Sequence, residues 1–460
     1  MDRCDVFVIG GGGCGSDVTY ALAGAGLSVV MAERDRLGGE CAHYGCDPTK
    51  AMLRSARVAA LARRAQEFGV RVGGPVEVDF EAVMGRVRRL IDEETSAGAS
   101  VYEARGARVV AQEARLTGPH QVELADGTLF QADRVVLAVG SEATAPPIPG
   151  LEAGGWWSNK EAIWHGTGVP GALAVIGAGA IGVELGQIYS RFGSAVTLVE
   201  TFDRVLPLED ADSSRAVEAA LVEDGLHIHV GAAVTRVDRP EVSDDGRWHV
   251  WFKHVEPLAF DRVLVATGRR PCFDGHDLDA AGVELDDRGR PRLGPTLRTT
   301  AEHIWAGGDA TGELLFTHVG GYEAGVIVAD ILGHPSPRDY RIVPRVTYCE
   351  PEVAAVGLTE DEARAAGHDV VSATSRFVDN PRSFIEGEAH GHVKLVADRR
   401  SGDLLGGHIV GEAAGELIHE VVAAMASRAP ARAFADAIHA YPTRAESVRG
   451  AFRELAEQLR

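Results

Sequence analysis

A strand, a glycine-rich turn, a helix and a second strand follow one another twice in this chain. The first copy spans residues 5–33 and the second spans residues 172–200. Two strands that are joined by a crossover helix pair in parallel within one sheet. This repeat constrains the fold more than any other feature, and it predicts an α/β architecture with two such units.

Each copy has the glycine spacing of a Rossmann-type dinucleotide-binding unit. In Gly-x-Gly-x-x-Gly, backbone N–H groups at the start of the helix can hold a pyrophosphate, and an acidic residue at the end of the second strand can bind ribose hydroxyls. The residues concerned are Gly10, Gly12, Gly15 and Glu33 in the first copy, and Gly177, Gly179, Ala180, Ile181, Gly182 and Glu200 in the second. Glu200 favours NAD(H) over NADP(H), because a carboxylate repels a 2′-phosphate. The alternative interpretation of Glu200 is a solvated strand end.

Length and charge restrict the class of protein. A chain of 460 residues predicts two to four domains. Its formal net charge of −21 disfavours nucleic acids and anionic membrane surfaces as partners and favours small molecules. The first residues have no signal-peptide pattern, and no apolar run approaches the ~20 residues that cross a bilayer. We therefore expect a cytoplasmic protein.

Proline and glycine clusters at residues 145–150 and 333–337 divide the chain into regions. Beyond Pro344 the pattern changes to strands, at 353–356, 391–396 and 406–410, which are followed by alanine-rich helices at 415–426 and from Ala445 onward. This last region is typical of an α+β domain.

Cys41 and Cys46 lie directly after the first unit, in a segment that continues into a helix. Five residues apart on an ideal helix, their side chains would point to different faces, so a disulfide requires a distorted first turn, which Gly45 and Pro48 permit. Thiols at a helix N-terminus have a lowered pKa and suit redox cycling. The alternatives are half of a zinc site or two inert thiols.

Residues 304–309, Ile-Trp-Ala-Gly-Gly-Asp, place Asp309 after a hydrophobic strand and two glycines. Alone this is a turn. In a chain with two nucleotide sites, a carboxylate there is suited to the ribityl chain of a flavin.

Together these motifs resemble the pyridine nucleotide-disulfide oxidoreductases, a family that includes dihydrolipoamide dehydrogenase, glutathione reductase and mercuric reductase. Further matches are residues 265–269 (Val-Ala-Thr-Gly-Arg), residues 351–359 and Pro442-Thr443-x-x-Glu446. The resemblance implies a homodimer whose chain has an FAD-binding domain with the cysteine pair (1–148), an NAD-binding domain (149–268), a central domain (269–340) and an α+β interface domain (341–460).

The resemblance also implies residue roles. Cys46 corresponds to the thiol that faces the flavin, and Cys41 to the thiol that meets the substrate, while Lys50 and Glu184 match an ion pair beside the flavin. The remaining implied contacts are Gly39, Ala114, Gly140, Asp309, Thr317 and His318 for FAD, and Gly268 for NAD. Electrons would pass from NADH through the flavin to the Cys41/Cys46 disulfide and then to a disulfide substrate.

One position departs from the thiol-reducing members. Tyr441 stands where they have a histidine that serves as acid and base, with Glu446 downstream. A phenol near pKa 10 exchanges protons poorly at neutral pH, whereas an imidazole near 6.5 is well matched. Three interpretations stay open: an NADH-dependent disulfide reductase, an NADH:quinone or metal-ion reductase, and a non-catalytic flavin-bearing redox sensor.

Overall fold

The computed structural model describes residues 1–165, 168–241, 243, 245–253 and 255–459. Its strands are β1 (Asp2–Ile9), β2 (Val29–Ala32), β3 (Arg108–Val110), β4 (Ala114–Gly118), β5 (Gln121–Leu124), β6 (Leu129–Leu137), β7 (Ser141–Ala143), β8 (Ala172–Ile176), β9 (Ala195–Val199), β10 (His227–His229), β11 (Val234–Asp238), β12 (Trp248–Phe252), β13 (Val255–Phe260), β14 (Arg262–Val265), β15 (Arg269–Pro271), β16 (Ile304–Ala306), β17 (Arg345–Thr347), β18 (Glu352–Gly357), β19 (Val370–Arg376), β20 (His392–Asp398) and β21 (Leu404–Gly411).

The α-helices are α1 (Gly13–Gly24), α2 (Gly39–Tyr44), α3 (Cys46–Arg63), α4 (Phe80–Glu94), α5 (Ser100–Glu103), α6 (Ala180–Arg191), α7 (Ala211–Glu223), α8 (Thr317–Ile331), α9 (Glu360–Ala365), α10 (Pro381–Ile385), α11 (Ala414–Ser427), α12 (Ala431–Asp436) and α13 (Ala445–Gln458). Short 3₁₀ turns lie at Ala65–Phe68, Gly308–Thr311 and Phe377–Asp379, and a π-helical turn lies at Glu161–His165.

The described chain forms two compact units. The first unit comprises Met1–Met52, Glu81–Thr144 and Gly268–Asp339, and the second comprises Leu53–Phe80, Ala145–Thr267 and Tyr340–Arg460. The mixed α/β class expected from the repeated pattern is confirmed. The four domain boundaries named above stay a prediction.

The first unit is built on a sheet with the order β3-β2-β1-β6-β5-β4, to which β16 adds by pairing with β6. The pairs among β1, β2, β3, β6 and β16 are parallel, and β4, β5 and β6 form an antiparallel meander. Successive residues of β1 serve opposite faces: Val6 and Val8 pack toward α1 and α8, whereas Phe7 and Ile9 join the core around the meander. Burial on both faces explains its nearly continuous apolar sequence.

Among its described residues, the second unit contains three sheets. A parallel sheet has the order β10-β9-β8-β14, and beside it stands the antiparallel sheet β11-β12-β13. The third sheet, β17-β18-β21-β20-β19, is antiparallel and shares one apolar core with α11 and α13. The strands and helices that the sequence predicts beyond residue 344 are confirmed as β18, β20, β21, α11 and α13.

Candidate active site

The first glycine motif joins β1 to α1 in a turn that requires glycine at two positions. Gly10 has a φ of +105°, and a Cβ there would overlap the carbonyl oxygen of Ala138. A Cβ on Gly15 would overlap the carbonyl oxygen of Gly10. Gly12 is the N-cap of α1 in extended backbone. The N-terminus of α1 is therefore free of side-chain bulk, as a pyrophosphate site requires.

Glu33 follows β2 and bonds back to this motif. Its Oε2 accepts the Gly11 N–H at 2.7 Å, and its Oε1 accepts the Asp35 N–H at 2.8 Å. The Glu33 N–H donates to the Val110 carbonyl at 3.0 Å, which brings the segment before Ala114 alongside. The Glu33 carboxylate, which is predicted to bind ribose, is thus held in place by a hydrogen bond from the glycine turn.

The loop after β2 carries the cysteines and lies against the same glycines. The Gly38 N–H donates to the Gly11 carbonyl at 2.8 Å. Gly39 has a φ of +63°, and a Cβ on it would lie 2.8 Å from the Gly12 Cα. Backbone therefore approaches backbone here, which makes Gly39 a structural requirement for α2 to begin beside the nucleotide motif.

Cys41 lies in α2 and Cys46 opens α3, with Gly45 between the two helices. The expected distorted turn is therefore a break between two helices. Both residues are free thiols of intermediate exposure. The Cys41 thiol donates a hydrogen bond to Cys46, and the Cys46 Sγ lies 3.8 Å from the Thr317 Oγ1.

The two thiols differ in acidity. The hydrogen bond from Cys41 and then the Lys50 ammonium group and Thr317 lower the pKa of Cys46 to about 7, although burial opposes this shift. The hydrogen bond to Cys46, and then burial, raise the pKa of Cys41. Cys46 is therefore the more acidic thiol of the pair, and Cys41 is the less acidic one.

α8 brings a second group of predicted residues to this place. Thr317 is its first residue and also lies near Gly13, whose Cβ would be 3.5 Å from the Thr317 Cγ2. The ring of His318 stacks on Phe316 with centroids 5.4 Å apart. The helix N-terminus therefore points to the region that the dithiol and the glycine motif share, where it can stabilise negative charge.

Asp309 lies in the 3₁₀ turn after β16. Burial raises the pKa of this carboxyl group, while a hydrogen bond from Ser141 lowers it. The Ser141 hydroxyl donates to Asp309 Oδ2 at 2.5 Å. Gly140, the residue before Ser141, has a φ of +73°. A partly buried carboxylate next to the cysteine loop fits the ribityl role predicted for it.

The second glycine motif repeats the geometry of the first. Gly177 has a φ of +104°, and a Cβ on Gly182 would overlap the Gly177 carbonyl oxygen. Gly179 is the N-cap of α6, and a Cβ on it would meet no protein atom within 4 Å. Ala180 and Ile181 begin α6.

Glu200 matches Glu33 in its hydrogen bonds. It accepts the Ala178 N–H at 2.8 Å and the Phe202 N–H at 2.9 Å. Because Glu200 is only 8% exposed, a solvated strand end does not describe it.

Every residue predicted to contact FAD lies in the first unit. Gly268, predicted for NAD, also lies there: its carbonyl accepts the Thr144 N–H at 3.1 Å, beside the β7–β15 pair. Cys41 and Cys46 lie in the first unit as well, whereas the remaining residues predicted for NAD, together with Glu184, lie in the second unit. Glu184 is buried and accepts the Tyr348 N–H at 2.8 Å, so its pairing with Lys50 stays a prediction.

Tyr441 and Glu446 belong to the last region of the second unit. The Tyr441 side chain is 73% exposed, and Glu446 accepts the Thr443 N–H at 3.2 Å at the start of α13. The nearby His439 pairs with Glu420 at 3.0 Å, which supports a structural role for this histidine.

Sequence reasoning missed three polar residues of the first unit: Glu40, Ser141 and Arg269. Arg269 ends a motif that we identified, yet no role followed from the motif, because its partners come from distant segments.

Two dinucleotide-binding units and a dithiol beside the first define the class: a flavoprotein that exchanges electrons between a nicotinamide nucleotide and a dithiol–disulfide pair. A model of the pyridine nucleotide-disulphide oxidoreductase family matches residues 4–324, and a model of the family's dimerisation domain matches residues 343–452. The chain belongs to this family.

Relatives and solved structures agree with this assignment. The dihydrolipoyl dehydrogenase of Chlorobaculum tepidum is 37% identical over 454 residues, which cover 97% of this chain and 96% of that protein. The dihydrolipoyl dehydrogenase of Thermus scotoductus is 34% identical, and the match covers 100% of this chain and 98% of that protein. The HOCl-induced flavoprotein disulfide reductase RclA from Escherichia coli superposes with a TM-score of 0.87 at 26% identity, covering 98% and 99%. LpdA from Mycobacterium tuberculosis superposes with a TM-score of 0.88 at 25% sequence identity, and the match covers 99% of this chain and 100% of that one.

The cofactor prediction is thereby confirmed: the enzyme is an FAD-dependent oxidoreductase of a family that uses NAD(H) and acts on disulfides. The glycine turn, the Gly38–Gly39 loop, the N-terminus of α8 and the partly buried Asp309 are suited to hold FAD. Among the described residues, no helix is long and apolar enough to cross a membrane.

Proposed function

We propose that this enzyme uses NADH to reduce a small-molecule disulfide, with Cys41 and Cys46 as the dithiol that meets the substrate. The observation that carries the proposal is the placement of two free thiols: Cys41 lies in α2, and Cys46 opens α3 with its Sγ 3.8 Å from the Thr317 Oγ1. The hydrogen bond from Cys41, the charge of Lys50 and the contact with Thr317 lower the pKa of Cys46, whereas the pKa of Cys41 is raised. This division of roles agrees with the implied placement of Cys46 toward the flavin.

FAD, when bound, supplies the two-electron link between NADH and the cysteine pair. Cys41 must lose its proton before its sulfur can attack the substrate disulfide and release the first product thiol. The Cys46 thiolate then attacks the Cys41 sulfur, which releases the second product thiol and closes the Cys41–Cys46 disulfide. The proton of Cys41 and one proton taken from solvent leave with the two product thiols.

Glu200 supports NADH as the preferred donor. Its carboxylate is fixed by two backbone N–H groups at the end of β9, and the exposed Asp203 adds negative charge in the same loop. A 2′-phosphate beside these carboxylates would be repelled. The ratio of kcat/KM for NADH to that for NADPH tests the preference, and a ratio below one would contradict it.

We further propose a homodimer in the cytoplasm. The matched dimerisation domain supports the dimer, and so do large apolar side chains of this region that a single chain exposes, including Phe384, Ile385 and Ile438 at 75, 65 and 97%. A cytoplasmic enzyme has NADH at hand and a reducing environment for its thiols. Light scattering of the purified protein measures the mass of the assembly.

Metal-ion or quinone reduction is a second candidate function, favoured by Tyr441. A phenol is a poor proton acceptor for the Cys41 thiol, and a metal ion or a quinone does not need the thiol–imidazole pair. RclA from Escherichia coli, whose structure was also solved as a Cu(II) complex, superposes on this chain with a TM-score of 0.87. A quinone would accept electrons without the cysteines, whereas a thiophilic metal ion would bind them.

The Cys41→Ser variant separates these functions. We expect it to lose NADH-dependent reduction of lipoamide and glutathione disulfide by at least about 100-fold, because no sulfur remains to attack the substrate. Cys272→Ser, at another partly exposed cysteine, is the matched control and should keep full activity. Disulfide turnover that survives in Cys41→Ser would overturn the proposal. Quinone turnover that survives there would show direct transfer from the flavin, and Cu(II) reduction that disappears would place the metal at the dithiol.

A further inference from the structure

We propose that Arg269 is a positioning residue that couples the loop of the cysteine pair to Asp309, the carboxylate placed for the flavin ribityl chain. The inference rests on the proposed function, because it assigns the dithiol and the FAD contacts to these residues. The contacts that carry it all lie within the first unit.

The Arg269 guanidinium group lies between two acidic residues. Its Nη2 is 3.1 Å from Glu40 Oε1, and the two side chains are 13% and 25% exposed. Its Nε donates to the Ser141 Oγ at 2.8 Å, and its Nη2 donates to the Ser141 carbonyl at 2.8 Å. The Ser141 hydroxyl donates in turn to Asp309 Oδ2 at 2.5 Å. A continuous polar chain therefore runs from Glu40 to Asp309.

Both ends of this chain matter to the reaction. Glu40 directly precedes Cys41 in α2, so its ion pair fixes the backbone from which the substrate-facing thiol projects. Asp309 must stay ionised to accept hydrogen bonds from a polyhydroxyl chain while it is buried. Arg269 is placed to serve both ends, because a planar guanidinium group can donate in several directions at once.

The charges are unevenly balanced. The partly buried Arg269 guanidinium group lies near two carboxylates, and the pKa of Asp309 reflects this arrangement: burial raises it, hydrogen bonding from Ser141 and the charge of Arg269 lower it, and the charge of Glu40 raises it. Without Arg269, the unbalanced Glu40 would favour protonation of Asp309. The defect should therefore grow as the pH falls, since a carboxyl group with a raised pKa protonates at a higher pH.

The adjacent Arg270 supplies a matched control. It belongs to the same short strand, but its side chain is 49% exposed and pairs with Glu142 and Asp274, each at 2.5 Å. A general loss of the β7–β15 pair would affect variants of either arginine, whereas the proposed coupling concerns Arg269.

The test measures the rate of FAD release from the FAD-loaded protein after dilution, by the rise of flavin fluorescence, between pH 5 and 8. We expect Arg269→Gln to release FAD at least about tenfold faster at neutral pH, with a larger factor at acidic pH, which corresponds to about 1.4 kcal/mol or more. Arg270→Gln should stay within about twofold of the unchanged protein.

Two further variants separate charge from shape. In Arg269→Gln/Glu40→Gln the unbalanced carboxylate is gone, so the acid-dependent part of the release should return toward the unchanged protein. Arg269→Lys keeps the charge but loses the fork, so release should be faster with an unaltered pH profile. The proposal is overturned if Arg269→Gln releases FAD at the same rate as Arg270→Gln. It is also overturned if adding Glu40→Gln to Arg269→Gln leaves the acid-dependent part of the release unchanged. These outcomes do not depend on the substrate, so they are distinct from a failure of disulfide turnover in Cys41→Ser.

Discussion

The two glycine motifs have nearly the same backbone but different loops after their second strands. In the first unit the Gly38 N–H donates to the Gly11 carbonyl, and in the second the Leu206 N–H donates to the Ala178 carbonyl, both at 2.8 Å. After this shared bond, Gly39 leads the first loop into the cysteine helices. In the second loop Leu206 is buried at 3% exposure.

This difference shows how one fold serves two nucleotide roles. The first motif is covered by further elements: a Cβ on Gly307 would lie 2.6 Å from the Cys14 Sγ, and the Gly308 N–H donates to the buried Glu323 at 2.6 Å. At the matching middle glycines, a Cβ on Gly12 would lie 4.0 Å from the Gly39 Cα, and a Cβ on Gly179 would meet no protein atom within 4 Å. The enclosed site is suited to a cofactor that stays bound, and the open site to one that exchanges.

The largest effect should come from adding a methyl group to the third glycine of each motif. A Cβ on Gly15 or Gly182 would overlap a backbone carbonyl, so both changes distort their helix start. Gly15→Ala should yield protein without FAD, whereas Gly182→Ala should keep FAD and bind NADH at least about tenfold more weakly. Flavin absorbance per chain and NADH titration measure the two effects. Gly85→Ala, in α4, is the control and should change neither, because a Cβ there would meet only the end of the Arg89 side chain, at 3.8 Å.

The next largest effects should come from substitutions in the two loops, and the property affected should differ between the loops. Gly39→Ala places a Cβ 2.8 Å from the Gly12 Cα at a φ of +63°, so we expect a loss of disulfide turnover of about 100-fold as the cysteine helices move. Leu206→Ala should instead cost about 2–4 kcal/mol of unfolding free energy with the dithiol intact. Urea unfolding and lipoamide assays distinguish them. Equal turnover in the two variants would show that the loops are not specialised.

Gly179→Ala tests whether the open space is a nucleotide site. Because the added methyl group meets no protein atom within 4 Å and Gly179 has a φ of −74°, the thermal midpoint should stay unchanged. The KM for NADH should rise about tenfold if the pyrophosphate fills that space. An unchanged KM would place the nucleotide elsewhere.

The smallest effect should come from removing the positive charge of Lys50, which lies next to the cysteine pair. Lys50 helps to lower the pKa of Cys46 to about 7, so Lys50→Met should raise it by about one unit. In the reduced protein, thiolate absorbance should appear as the pH rises through about 7, and at a higher pH in the variant. Lys160→Met, in the second unit, is the control. If the thiolate titrates at the same pH in Lys50→Met and in the unchanged protein, Lys50 does not influence the pKa of Cys46.

Much of the fold followed from local patterns. The βαβ units were predictable because glycine spacing, apolar strands and the terminal acid all lie within about 30 residues. The antiparallel meander β4–β6 was not predicted, although its strands are neighbours along the chain. The pairing of β16 with β6 was not predictable, since strand partners distant along the chain leave no periodic signal.

The sequence by itself determined the two nucleotide motifs, the cysteine pair and the family, because each depends on residue types at fixed short spacings. The tertiary structure decided which thiol is acidic and which residues support the site. Cys46 obtains its low pKa from Cys41, Lys50 and Thr317, and Thr317 comes from a distant helix. The chain from Glu40 through Arg269 and Ser141 to Asp309 joins four separate segments. Electrostatic coupling depends on distance in space, and folding alone sets that distance.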